Sequence, residues 1–168
     1  ENTSAYVKKG LKMKRGELVG FQGCLGYDYD VNTKSISINE EGAKTVRYIF
    51  DRYVAGAGST MIARELNEQG ILTIKGNPWV SSSVMGIINN EKYKGDILLG
   101  KTFTVDPISK RRLDNLGEED RYYIHNHHEG IVSEETFDRA QEIRNRRNGG
   151  RKHNVTPGKR EKFSRQYA

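Results

Sequence analysis

At 168 residues the chain can bury a core as one domain with an appended segment. With 30% charged and 35% hydrophobic residues and a mean hydropathy of -0.79, it reads as a polar, soluble domain, with no apolar run of membrane-span length and no signal-peptide core. The single cysteine, Cys24, excludes an internal disulfide and a cysteine-based zinc site, and points to a reducing, cytoplasmic setting.

The net charge of +6 is unevenly placed. Residues 137–168 hold ten Lys/Arg against three Asp/Glu, whereas residues 1–136 are close to neutral. A second basic cluster, Lys8, Lys9, Lys12, Lys14 and Arg15, lies near the start. Such blocks suit arms that neutralise phosphates, and equally suit solvated lysine-rich ends. The first residue is Glu1 and not Met, so the chain is expected to be a piece of a longer protein.

In chain order, residues 3–14 are only loosely periodic, and Gly16, Gly20, Gly23 and Gly26 open an extended stretch suited to close approach of another surface. Tyr27-Asp28-Tyr29 and Ser35-Ile36-Ser37-Ile38 predict a short hairpin around Asn32-Thr33. Asn39 is an N-cap followed by Glu40 and Glu41, and the helix it opens buries Ala43, Val46, Ile49, Phe50, Tyr53 and Val54 until Gly56 and Gly58 end it. Ser59 or Thr60 caps a second helix, with Met61, Ile62 and Leu66 facing the core and Gly70 stopping it.

Gly76-Asn77-Pro78 is a turn, and Ser81 to Ser83 supply the cap of a third helix carrying Val84, Ile87 and Ile88. Gly95 through Phe103 reads as one strand, residues 106–120 as a polar excursion, and Arg121-Tyr122-Tyr123-Ile124-His125 as a returning strand. Ser133 caps a further helix with Phe137, Ala140 and Ile143 inside, and periodicity ends after Asn148-Gly149-Gly150.

Short helices joined by a glycine-containing connection, with strands after them, outline a helix-turn-helix or winged-helix reader of the DNA major groove. The expected fold is therefore α+β, a winged-helix-like helix-turn-helix core with small β-hairpins, an extended N-terminal linker and a basic C-terminal tail. The expected division is a linker over 1–26, a DNA-binding domain over 27–147 and a tail over 148–168.

The ordered set Gly26-Tyr27, Glu40-Glu41-Gly42-Ala43, Val46-Arg47, Ile49-Phe50, Tyr53, Gly58-Ser59, Ile62-Ala63, Leu66-Asn67 and Gly70-Ile71 resembles the recombinase domain of the large serine recombinases. So does its continuation through Gly76, Trp79, Val84, Asn90, Tyr93-Lys94-Gly95 and Ile131-Val132-Ser133 to Phe137. The resemblance implies attachment-site DNA recognition within a dimeric or tetrameric parent enzyme. It also implies a preceding catalytic domain that supplies the nucleophilic serine and a zinc ribbon that follows, both outside this chain. No catalytic residue, metal or cofactor is expected here, and the fragment is expected to be monomeric.

Within that reading, the third helix enters the groove through Ser81, Ser82, Ser83 and Asn89, with Gly86 on the same face, since short polar side chains reach base edges and asparagine can pair bidentately with adenine. Lys8, Lys9, Lys12, Lys14 and Arg15 track phosphates and an adjacent minor groove. Lys110, Arg111 and Arg112 sit where a wing tip would be, and Arg144, Arg146, Arg147, Arg151 and Lys152 lead toward a following domain. Trp79 is read as a core anchor rather than a base-stacking residue.

His125 and His127 would share a strand face, as two metal ligands do, but no third ligand accompanies them. Ser81 to Ser83 have no base beside them to make a nucleophile, and no phosphate-loop or dinucleotide fingerprint occurs. Two rival readings stay open: a free-standing winged-helix transcription regulator, and a metal-dependent nuclease built on His125 and His127.

Overall fold

The computed structural model describes residues 21, 23–104, 112–116 and 121–149. The expected hairpin forms as β1 (Tyr27–Tyr29) and β2 (Ile36–Ile38), antiparallel with Tyr27 opposite Ile38. Asp30 Oδ1 accepts from the Asn32 amide at 2.8 Å and closes its turn. Helix α1 (Glu40–Val54) starts where predicted: Asn39 Oδ1 accepts from the Gly42 amide at 3.2 Å, and Glu40 and Glu41 occupy the favourable first turn. Its stripe of Ala43, Val46, Ile49, Phe50 and Tyr53 is buried, with Val54 at the margin.

Helix α1 ends in a Schellman motif, the Gly56 amide bonding to Tyr53 O and the Ala57 amide to Arg52 O. Helix α2 (Ser59–Glu68) ends in the same way, through Gly70 to Asn67 O and Ile71 to Leu66 O. Its start departs from expectation. Gly58 is the N-cap and makes no side-chain bond, while Ser59 is already helical and its Oγ lies 2.7 Å from Ser81 Oγ. Met61, expected inside, is 46% exposed. Ile62, Ala63 and Leu66 hold the buried face, and Met61 lies one residue, about 100°, round the helix from Ile62.

The 69–80 connection is pinned by Asn67, whose Oδ1 accepts from the Trp79 amide at 2.7 Å and whose Nδ2 donates to Trp79 O at 2.9 Å. Trp79 is buried, as its reading as a core anchor required. Helix α3 (Ser81–Ile88) buries Val84 and Ile88, with Ile87 half-buried. Its N-cap is Val80, without a side-chain bond, so Ser81 to Ser83 form the first turn instead of capping it. A 3₁₀ turn (Glu91–Lys94) follows, opened by Asn90 Oδ1 accepting from the Lys92 amide.

The stretch read as one strand is two: β3 (Ile97–Leu99) and β4 (Thr102–Thr104). They separate at Gly100, where buried Asn115 draws the backbone aside, Nδ2 donating to Gly100 O at 2.8 Å and the amide to Lys101 O at 2.8 Å. Strand β5 (Arg112–Asp114) pairs antiparallel with β4 within the segment expected to be a polar excursion. Strand β6 (Tyr122–Ile124) returns to β3 as expected, Ile97 opposite Ile124. Helix α4 (Glu134–Gly149) starts at Ser133, whose Oγ accepts from the Thr136 amide at 3.2 Å, and buries Phe137 and Ala140 with Ile143 partly covered.

The core therefore lies between α1, α2, α3 and α4, with Tyr27, Tyr93 and Ile97 closing it on the hairpin side. The architecture is mixed α and β, four helices with small antiparallel ladders among the described residues. No helix among them is long and apolar enough to cross a membrane.

Candidate nucleic-acid interface

Helix α3 is held from three directions. Ser81 meets Ser59 of α2, Gln141 Nε2 of α4 donates to Ile88 O at 2.7 Å, and Val84 and Ile88 enter the core. These ties leave Ser82, Gly86 and Asn89 exposed on one side and Ser83 half-exposed. Spacings of four and three residues put the exposed three on one face. The Asn89 amide caps α3 by donating to Met85 O, while its side chain makes no hydrogen bond among the described residues. The Ser81 hydroxyl is engaged at the helix–helix contact with Ser59.

The basic candidates divide. Arg112 is an exposed residue of β5, opposite Thr104. Arg144 is half-exposed on α4 with no bond or ion pair among the described residues. Arg147 is occupied: it donates to Gly56 O at 2.8 Å and Ala57 O at 3.1 Å, and its guanidinium lies 4.7 Å from the Tyr53 ring centroid. It clasps the α1–α2 turn through these two carbonyls and the Tyr53 ring. Lys8, Lys9, Lys12, Lys14, Arg15, Lys110 and Arg111 lie outside the described residues.

Between the 3₁₀ turn and β3 and β6 a polar network fixes the strands. Asp96 accepts from Tyr123 Oη at 2.8 Å and the Asn126 amide at 3.0 Å, with Lys94 Nζ at 3.2 Å. Burial alone would raise the Asp96 carboxyl, but the bonds from Tyr123, Asn126 and Lys94 outweigh it and hold it below the usual range. Burial opposes the charge on Lys94, yet Asp96 beside it raises the ammonium to about 12. Glu91, also buried, accepts from the Leu98 amide at 3.0 Å and Lys101 Nζ at 2.6 Å.

The histidines serve this framework. His128 Nε2 is 2.6 Å from Lys92 O, and its ring meets Phe21 and Tyr27 edge-on. Burial pushes both His127 and His128 down from the usual imidazole value. His125 lies 3.2 Å from Asp96, whereas His127 faces His128, so the two do not converge on one point. No group of three His, Cys, Asp or Glu side chains placed to hold a metal occurs among the described residues.

One feature of this surface has no counterpart in the sequence reading. A cleft of about 670 Å³ runs beside α3, between it and the 73–80 connection, with Ser83 and Gly86 on one wall and Lys75 and Trp79 among the others. Its walls come from segments distant in sequence, and no local pattern announces it.

The recombinase family model matches residues 40–147. The chain belongs to the recombinase family, as the resemblance to the large serine recombinases implied. The fold is shared with solved structures. One, a crystal structure of an LSR–DNA complex (LSR, large serine recombinase), aligns with a TM-score of 0.57 and 22% identity over 86% of this chain and 38% of the other. Another comes from work on the sequence requirements of the Listeria innocua prophage attP site, with a TM-score of 0.54 and 24% identity over 83% of this chain and 51% of the other. The chain thus spans about half or less of those proteins. Among curated proteins none matches it.

Proposed function

We propose that this domain binds duplex DNA sequence-specifically at attachment half-sites, as the DNA-reading part of a site-specific serine recombinase that integrates or excises a mobile element. The observation that carries this reading is the presentation of α3. It is tied to α2 and α4 at both ends, yet keeps Ser82, Gly86 and Asn89 uncovered and carries no charged residue. A rigidly seated helix with a short polar face suits insertion into a groove about 12 Å wide. The membership in the recombinase family supplies the context.

In this reading the β3–β6 and β4–β5 ladders act as the wing beside α3. Arg112 and Arg144 contact phosphates, as do Lys110 and Arg111, while Lys8, Lys9, Lys12, Lys14 and Arg15 add affinity of low sequence preference. Strand cleavage belongs to a serine elsewhere in the parent enzyme, and binding here sets each half-site against it. The parent works as a dimer or tetramer on DNA and this domain as its monomeric reading head.

A salt-dependent titration against a pool of random duplexes, with sequencing of the bound fraction, tests the proposal. An enriched motif of about a dozen base pairs supports site recognition. Binding that falls steeply with salt and enriches nothing leaves only the basic arms engaged, and the role of α3 is then withdrawn.

A further inference from the structure

Gly86 stands two residues before the end of α3, and glycine is the poorest helix former after proline. The exposed faces of α1 and α2 carry Lys44, Asp51, Arg64 and Glu68, the long or charged residues usual at such positions. Among the described residues nothing asks for glycine at position 86. The backbone there is ordinary helix, and a Cβ built on it meets no atom within 4 Å. The space over Gly86 is open to a surface beyond the described residues.

The adjoining cleft indicates which surface. Gly86 and Ser83 line it together with Lys75, Trp79 and Lys92, whose ammonium lies 4.7 Å over the Phe21 ring, and its lining contains no carboxylate. Trp79 also carries a buried Nε1–H donor with no acceptor among the described residues. A groove with cations and hydroxyl donors and no acid attracts an anionic polymer.

We propose that one strand of the bound duplex lies in this cleft, its sugar–phosphate backbone passing over Gly86 so closely that a methyl group there collides with it. The inference rests on the DNA-binding reading above. It adds a point of closest approach and a phosphate-holding groove beside the reading face. Because the contact is to backbone, it sets how deeply α3 sits and acts on all sequences alike.

The test compares the full chain with its Gly86→Ala and Lys75→Ala variants, by thermal melting and by titration with duplexes carrying the selected or a scrambled motif. Gly86→Ala is expected to raise Tm by about 2–4 °C, because alanine is the better helix former. It is expected to weaken binding of both duplexes about tenfold. Lys75→Ala is expected to lower the log–log salt slope by about 1. A raised Tm with unchanged affinity overturns the close approach, and a lowered Tm overturns it too by revealing an internal role for Gly86. An unchanged slope in Lys75→Ala removes the strand from the cleft. If the unsubstituted chain binds neither duplex, the DNA-binding reading itself falls, an outcome distinct from any of these.

Discussion

Gly26 and Gly42 touch backbone to backbone: a Cβ on Gly42 would lie 2.6 Å from the Gly26 amide nitrogen. The contact seats the first turn of α1 on the entry to β1, and the Asn39 amide donates to Gly26 O at 2.9 Å across the same junction. A Cβ on Gly26 would in turn lie 2.7 Å from Ile131 Cδ1 and 3.1 Å from the Ala43 amide nitrogen. Gly42→Ala is therefore expected to destabilise the fold by about 1–3 kcal/mol, although alanine is the better helix former. Urea denaturation checks this, and an unchanged midpoint would show that the junction yields without cost.

Arg147 and Arg144 stand one turn apart on α4 but have different tasks. Arg147→Ala releases the α1–α2 turn and is expected to cost about 0.5–1 kcal/mol of stability while leaving the salt dependence of DNA binding unchanged. Arg144→Ala is expected to do the reverse, leaving Tm unchanged and reducing the salt slope by about 1. Paired melting and titration curves separate the two. Interchanged results would mean that the clasp opens on DNA.

Asn89→Ala leaves the backbone cap of α3 intact, because that bond is made by the amide. It is expected to relax preference at one base pair of the selected motif, at a cost of about 1–3 kcal/mol on the preferred sequence. Repeating the selection with the variant reads this directly. An identical motif would move the reading face elsewhere on the domain.

Glu65 ties α2 to α1, accepting from Arg52 Nε at 2.9 Å and Tyr48 Oη at 2.8 Å. The Arg52 bond first, then Tyr48, holds its carboxyl down at about 2, against an ordinary value of 4.5. A carboxylate depressed in the folded state contributes stability that is fully present above its unfolded value and is lost as pH falls through the folded one. Glu65→Gln should lower Tm at neutral pH and remove this part of the decline between pH 4.5 and about 2. Melting across that range measures it, and parallel curves for the two proteins would show that the pair does not act.

What was legible in the sequence is what is encoded over three or four residues. The Asn39 and Ser133 caps, the buried run from Ala43 to Tyr53, and the hairpin of β1 and β2 all follow from local spacing and capping chemistry. The family marker set was legible for a related reason. Gly26, Gly42, Asn67 and Trp79 are residues whose side chains, or lack of them, the junctions of this fold require. Contacts between distant segments decided the rest. Asn115 divides at Gly100 the stretch expected to be one strand, Ser59 claims the Ser81 hydroxyl from 22 positions away, and Tyr53 with the α1–α2 carbonyls claims Arg147. The cleft beside Gly86 likewise exists only once α3 and the 73–80 connection are packed together. A sequence lists the donors and charges available; which of them stay free for a partner depends on the neighbours that tertiary packing assigns.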